Sequence, residues 1–149
     1  MIVYLDTSAL VPLVIDEPAS FAWGEVWDGA DKVVCTRLGY IEAAAAVAMA
    51  ERLGRISAAQ ALDARSVLDE LWLAVEVLEL SDQLMRHAAE LAMRHSLRGY
   101  DAAHCAAVLG LADPDLVAAS GDQRLLAAWR SEGVAVYDAT ADLCQIDRR

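Results

Sequence analysis

The chain has 149 residues, of which 57% are hydrophobic and 23% are charged, and its formal net charge is −11 at pH 7. This composition excludes a disordered chain, and the length predicts one domain, residues 1–149, with a sizeable core. The acidic balance argues against a protein that holds nucleic acid by bulk electrostatic attraction. It still permits an enzyme that reaches phosphodiesters through metal ions, and it suits a basic protein partner.

Strands and helices are predicted to alternate along the chain. The apolar run at residues 2–5 is typical of a strand buried on both faces. Further strands are predicted at 32–36, 75–80, 116–120 and 134–137. Helices are predicted near 10–14, then at about 18–29, 39–53, 81–96, 100–111 and 123–132, with another beginning after Ser57. Because strands that alternate with helices pair in parallel, the predicted fold class is α/β, a three-layer α/β/α domain with a mainly parallel sheet.

The cysteines and the apolar segments indicate a cytoplasmic protein. Cys35, Cys105 and Cys144 are widely spaced, with no CxxC pair or Cys/His cluster of the kind that binds zinc. No apolar run approaches the roughly 20 residues of a membrane span, and no signal peptide is recognisable at the N-terminus. We therefore expect buried free thiols, a reducing compartment and no membrane association.

Four acidic residues stand where a predicted strand or loop passes into a helix: Asp6, Glu42, Asp101 and Asp122. Each has a simple structural explanation, because Asp is a preferred N-cap and a carboxylate in a first helical turn complements the helix dipole. However, Glu42 and Asp101 are each the one acidic residue in an otherwise apolar helical segment. A lone buried carboxylate is costly unless it is paired or binds a cation.

One shared site would explain the placement of all four acids. The carboxyl ends of parallel strands meet at the same edge of a sheet, where α/β domains bind ligands. Converging carboxylates repel one another unless a cation lies between them, and hard oxygen donors favour Mg²⁺ or Mn²⁺. The sequence leaves open whether one or two ions bind. Two-ion sites clamp the attacking and leaving oxygens of a phosphodiester.

The stretches around these acids carry a family resemblance. They are Tyr-Leu-Asp-Thr-Ser-Ala-Leu (4–10), Glu42 near the start of its helix, Arg-Gly-Tyr-Asp-Ala-Ala-His-Cys-Ala-Ala (98–107) and Ala-Ser-Gly-Asp-Gln-Arg-Leu-Leu (119–126). In this order the chain resembles the PIN-domain ribonucleases, and among them the VapC-type toxins of toxin–antitoxin pairs. The resemblance covers nearly the whole chain.

The resemblance implies a Mg²⁺-dependent endoribonuclease whose nucleophile is a metal-activated water. Asp6 and Asp101 would be the principal metal ligands, and Glu42 and Asp122 would complete the acidic cluster directly or through water. RNA would be the substrate, a cognate antitoxin protein the partner, and a homodimer the oligomer. Hydroxyl groups beside the first and fourth acids would orient carboxylates or water. These belong to Thr7 and Ser120.

Two other functions stay open at this stage. The first is a phosphotransfer enzyme of another α/β family, although Ser8 stands where an aspartyl-phosphate hydrolase needs a second Asp, and the sole lysine is Lys32. The second is a catalytically inactive PIN-like domain that serves as a protein-binding module. The sequence identifies neither the RNA nor the roles of His104 and Arg98. His104 follows Asp101 by three residues and would lie near the same helix face, where it could carry a proton, but the resemblance implies a packing position.

Overall fold

The computed structural model describes residues 1–139 and 141, so Cys144 lies outside the described residues. Within them, strands and helices alternate as predicted. The strands are β1 (Ile2–Leu5), β2 (Lys32–Thr36), β3 (Val75–Leu78), β4 (Leu116–Ala119) and β5 (Ala135–Tyr137). The helices are α1 (Thr7–Val14), α2 (Ser20–Gly29), α3 (Arg37–Arg52), α4 (Ala58–Trp72), α5 (Asp82–His95), α6 (Gly99–Leu111) and α7 (Gln123–Ser131).

The five strands form one parallel sheet in the order β3-β2-β1-β4-β5. Strand β1 lies at the centre, where Tyr4 pairs with Val34 of β2 on one side and Ala118 of β4 on the other. From β1 the chain builds outward to β2 and β3, and later returns to place β4 and β5 on the opposite side. The strand order therefore reverses beside β1, and such a switch point opens a crevice at the carboxyl ends of the strands.

Helices cover both faces of the sheet and give two apolar cores. Val3 and Leu5 of β1 pack on one face with Trp23 of α2 and residues of α1, α3 and α4. Tyr4 points to the other face, where it packs with Trp129 of α7 and residues of α5 and α6. This follows from the alternation of side chains along a strand. The prediction of a three-layer α/β/α domain with a parallel sheet is confirmed.

The structure also bears on the expectations for the cysteines and for membrane-spanning helices. Cys35 and Cys105 are buried free thiols, as expected. Loss of solvation on burial raises the pKa of Cys105 to about 12, so this thiol stays protonated near neutral pH. Across the described residues, no helix combines the length and apolar character that crossing a bilayer requires.

Candidate active site

The fold gathers the four acids around one cavity. Asp6 follows β1 and caps α1, and Asp122 follows β4 and caps α7, so the neighbouring strands bring these two carboxylates to one sheet edge. Helices α3 and α6 contribute Glu42 and Asp101. The cavity has a volume of about 360 Å³. We call it the acidic cavity, and its lining consists of Asp6, Thr7, Ser8, Val11, Glu17, Glu42, Arg98, Tyr100, Asp101, His104 and Asp122.

Asp6 is held on both of its carboxylate oxygens. Oδ1 accepts hydrogen bonds from Ser8 Oγ at 2.7 Å and from the Ala9 amide at 3.2 Å, and Oδ2 accepts from Ser120 Oγ at 3.0 Å. Asp6 is 4% exposed, and this burial raises the pKa of its carboxyl group, although His104 and the hydrogen bonds act in the opposite direction. Ser120, predicted from its place beside the fourth acid, is buried; its Oγ donates to the carboxylate of the first acid and accepts from the Asp122 amide at 2.9 Å. Sequence reasoning missed Ser8, although a serine two residues after a capping Asp was a usable signal.

The raised pKa of Asp6 leads to a stability prediction for the metal-free protein. The folded state holds the Asp6 proton more tightly than the unfolded chain, so stability falls as pH rises from the ordinary value of 3.8 through the raised pKa. Asn keeps a cap for Ala9 and removes the buried charge. In chelator at pH 7, Asp6→Asn should raise the free energy of unfolding by about 1 kcal/mol and the melting temperature by about 3 °C. Calorimetry should show this gain in stability shrinking toward pH 4. A variant that is less stable than the unsubstituted protein at pH 7 would contradict a raised pKa for Asp6.

Arg98 connects the other two aspartates. Its Nε donates to Asp101 Oδ2 at 2.8 Å, and its Nη2 donates to Asp122 Oδ2 at 3.4 Å. The guanidinium carbon also lies 4.7 Å from the centre of the Tyr100 ring, an arrangement typical of a cation–π contact. Burial raises the pKa of Asp101, and the Arg98 guanidinium partly offsets this rise. Arg98 therefore supplies the counter-charge for the acid pair in this structure.

Two of the four acids cap helices, and the other two do not. Asp6 and Asp122 are N-caps, and Asp122 Oδ1 accepts from the amides of Arg124 and Leu125 at 2.8 and 3.2 Å. Asp101 is not a cap, because it lies in the first turn of α6. Glu42 is not a first-turn residue, because α3 begins at Arg37, two residues earlier than predicted. Capping and site formation thus coincide at two of the four positions.

Glu42 is held through one of its two oxygens. Glu42 Oε2 accepts from Thr7 Oγ1 at 2.7 Å and lies 2.8 Å from His104 Nε2. Thr7, the hydroxyl residue beside the first acid, thus orients the second acid rather than Asp6. His104 is 1% exposed and lines the acidic cavity, so its interpretation as a packing residue was incomplete. Its predicted place near the same helix face as Asp101 agrees with the structure, in which both residues line the cavity from α6.

The side chains of the acidic cavity can be compared with the ligands that a divalent cation requires. Within the described part of the chain, no three His, Cys, Asp or Glu side chains are arranged closely enough to hold one ion. Arg98 instead engages Asp101 and Asp122, and Thr7 and His104 engage Glu42. The chemistry of the donors nevertheless fits, because four carboxylates offer hard oxygen ligands and burial raises the pKa of two of them. The residues therefore suit Mg²⁺ or Mn²⁺ by their chemistry, with Arg98 as the competing cation.

Comparison with known proteins identifies a family match and similar folds. Residues 3–128 match the PIN domain. Ribonuclease VapC45 of Mycobacterium tuberculosis (strain CDC 1551 / Oshkosh) is 38% identical over 141 residues, which cover 95% of this chain and 98% of that protein. PAE2754 from Pyrobaculum aerophilum has a similar structure, with a TM-score of 0.69 and 22% identity over 99% of this chain and 90% of that one.

A further solved structure shares the fold. The Mycobacterium tuberculosis protein VapC20, described as a sarcin-ricin loop cleaving toxin, has a TM-score of 0.65 and 20% identity, covering 85% of this chain and 94% of that one. At this identity the likeness concerns the fold. The family follows from the sequence match, which spans most of the chain, and from the 38% identity to VapC45. The chain belongs to the PIN domain family.

Proposed function

We propose that this chain is a divalent-metal-dependent endoribonuclease and the toxin of a toxin–antitoxin pair. The observation that carries the proposal is the acidic cavity itself, in which carboxylates from four separate parts of the chain line one space of about 360 Å³. Four such acids in one cavity also argue against an inactive binding module. The similarity to a protein named as a ribonuclease supports RNA as the substrate.

The residues of the acidic cavity have different roles in the proposed reaction. Asp6 and Asp101 are the principal metal ligands, and Glu42 and Asp122 complete the set directly or through water. Mg²⁺ is the expected ion, with Mn²⁺ as a substitute. A bound divalent cation lowers the pKa of a water molecule and neutralises negative charge on the phosphodiester. Ser8 and Ser120 hold Asp6 in place through both of its oxygens, so this ligand is oriented before any substrate arrives.

Arg98 also has a proposed role in binding the RNA. Its side chain is 57% exposed at the cavity and is held against Tyr100. With a divalent cation bound by Asp101 and Asp122, the Arg98 guanidinium would be free to bind a phosphate of the RNA. This matters because the chain has a net charge of −11 and would otherwise repel a polyanion.

A cleavage assay on the partner-free protein tests the proposed activity. The full chain is incubated with a mixture of ribosomal, transfer and messenger RNA in Mg²⁺, in chelator, and in chelator followed by excess Mg²⁺. We expect discrete internal cuts with Mg²⁺, none with chelator, and recovery when the ion is restored. Cleavage that persists in chelator, or a failure of the folded protein to cut any of these RNAs in Mg²⁺ or Mn²⁺, would contradict the proposal.

The expected partner is a basic antitoxin protein. The net charge of −11 favours a basic partner, and the structurally similar VapC20 is described as a toxin. We expect expression of the chain alone to arrest growth, and co-expression with the product of a neighbouring reading frame to relieve that arrest. Homodimer formation, a cytoplasmic location and a single domain over residues 1–149 stay predictions.

A further inference from the structure

A buried histidine connects the acidic cavity to the centre of the sheet. His104 lies on α6 among apolar residues, and its two ring nitrogens contact two different elements. Nε2 lies 2.8 Å from Oε2 of Glu42 on α3, and Nδ1 lies 2.7 Å from the hydroxyl oxygen of Tyr4 on β1. Burial of a polar ring in this setting is costly unless both nitrogens are bonded. Here both are.

The partners of His104 determine the direction of its hydrogen bonds. An ionised carboxylate only accepts hydrogen bonds, so Nε2 carries the hydrogen that points to Glu42. In the neutral ring Nδ1 is then an acceptor, and the Tyr4 hydroxyl donates to it. The Tyr4 ring is itself fixed, because it lies edge-on to His104 and to Trp129 at centroid distances of 5.9 and 6.0 Å. The Glu42 carboxylate therefore sets the hydrogen on Nε2, and the fixed Tyr4 ring supplies the partner of Nδ1.

The two hydrogen bonds to Glu42 constrain how this carboxylate can act. Both the Thr7 hydroxyl and the His104 ring bond to Oε2, on a side chain that is 20% exposed at the cavity. With Oε2 occupied by two donors, Oε1 is the oxygen left for a ligand. A carboxylate without these donors would rotate about its last bond and present either oxygen.

We propose that His104 is a positioning residue that orients Glu42 for the divalent cation. Its Nε2–H holds Oε2, so Oε1 is the oxygen that would bind the ion, and the Tyr4 hydroxyl occupies Nδ1 and holds the ring in place. Hydrogen-bond partners behind metal ligands act in this way in many metal sites, and their loss costs about 10-fold to 100-fold in metal affinity or activity. The inference rests on the proposed function, because it assigns Glu42 to the metal.

A matched pair of variants separates the hydrogen bond from packing. Gln and Met have nearly the same length and volume, but only Gln carries an N–H group that can reach Glu42. We expect His104→Met to weaken Mn²⁺ binding, measured by calorimetry, by about 10-fold or more and to lower kcat with little change in KM. His104→Gln should stay within about threefold of the unsubstituted protein for both quantities.

A double-mutant cycle tests whether His104 acts through Glu42. In a Glu42→Gln background, His104→Met should change the Mn²⁺ affinity no further, because the carboxylate that His104 orients is gone. Melting curves check the fold of each variant. If His104→Met does not fold, His104→Asn replaces it, because Asn can still accept from Tyr4 but ends short of Glu42.

The outcomes distinguish the positioning role from the proposed function. If the unsubstituted protein binds Mn²⁺ and cleaves RNA but Met, Asn and Gln at position 104 are equivalent, the positioning role is overturned and the proposed function stands. Additive effects of His104→Met and Glu42→Gln overturn it in the same way. If the unsubstituted protein neither binds Mn²⁺ nor cleaves RNA, the proposed function fails and the positioning role fails with it.

Discussion

Asp101→Asn is expected to lower the rate of RNA cleavage by about a thousandfold or more. Asp101 is 6% exposed, lines the acidic cavity and is a proposed principal metal ligand. Metal ions contribute several kcal/mol of charge stabilisation to such reactions, and each 1.4 kcal/mol corresponds to about a tenfold change in rate. Asn keeps the shape of the side chain but removes the charge. The measurement is the rate of cleavage of one defined RNA at saturating Mg²⁺.

The control for this variant is an acid far from the cavity. Asp28 is exposed near the end of α2, and α2 ends just before β2 begins, at the amino-terminal edge of the sheet. Asp28→Asn changes the net charge by the same amount and should cleave at the rate of the unsubstituted protein. Equal loss in both variants would assign the effect to net charge, and no loss in Asp101→Asn would remove this residue from the reaction.

Gly39→Ala is expected to destabilise the fold by about 1–3 kcal/mol, the usual cost of overpacking a core. A Cβ atom at this position would lie 2.3 Å from Cys35 Sγ and 3.3 Å from Leu10 Cδ1. The missing side chain therefore lets α3 lie close against β2, and α3 carries Glu42. We expect the variant to unfold at a lower urea concentration and to bind Mn²⁺ more weakly, because Glu42 shifts together with its helix.

Two further variants make the Gly39 prediction specific. Cys35→Ala removes the Sγ atom and should restore most of the stability that Gly39→Ala loses. Gly24→Ala, on α2 with no heavy atom within 4 Å of the added Cβ, should be neutral or stabilise the helix by up to about 1 kcal/mol. Two results would contradict this account of the Gly39–Cys35 contact. One is a Gly39→Ala variant as stable as Gly24→Ala, and the other is a loss of stability from Gly39→Ala that is unchanged in the Cys35→Ala background.

The sequence predicted the layout of the fold because its strands are short, apolar and separated by clear capping residues. Strands β1 and β2 have the predicted bounds, and Ser57 and Ser81 cap α4 and α5 through their hydroxyl groups. Helix starts without such a cap were less predictable. Helix α3 begins after Thr36, whose side chain makes no capping hydrogen bond, and α2 begins at Ser20 rather than at Pro18.

The start of α2 has a local explanation that the sequence did not reveal. The Ser20 hydroxyl accepts from the Glu17 amide at 2.9 Å and donates to the Ile15 carbonyl at 3.2 Å. These bonds hold residues 15–20 in a turn, so the helix begins at Ser20 rather than at Pro18. A serine that bonds backward along the chain competes with helix formation.

The acids were predictable as a group, but their partners were not. The four residues Asp6, Glu42, Asp101 and Asp122 line one cavity as predicted, although Glu42 lies beyond the first turn of α3. The hydrogen bonds within the site depend on side-chain directions across elements that are distant in sequence. Tyr4 and His104 are 100 residues apart, and Arg98 and Asp122 are 24 apart. Sequence spacing carries no information about which atoms of such pairs meet.

The ends of the RNA products test the central claim most directly. The full-length, partner-free protein cuts a defined RNA in ¹⁸O-labelled water with Mg²⁺, and mass spectrometry identifies the new ends. If the acidic cavity directs water to the phosphorus, one product carries a terminal phosphate with one ¹⁸O atom, the other carries a free hydroxyl, and chelator abolishes both. A 2′,3′-cyclic phosphate without label would show attack by the RNA's own hydroxyl group and contradict the account.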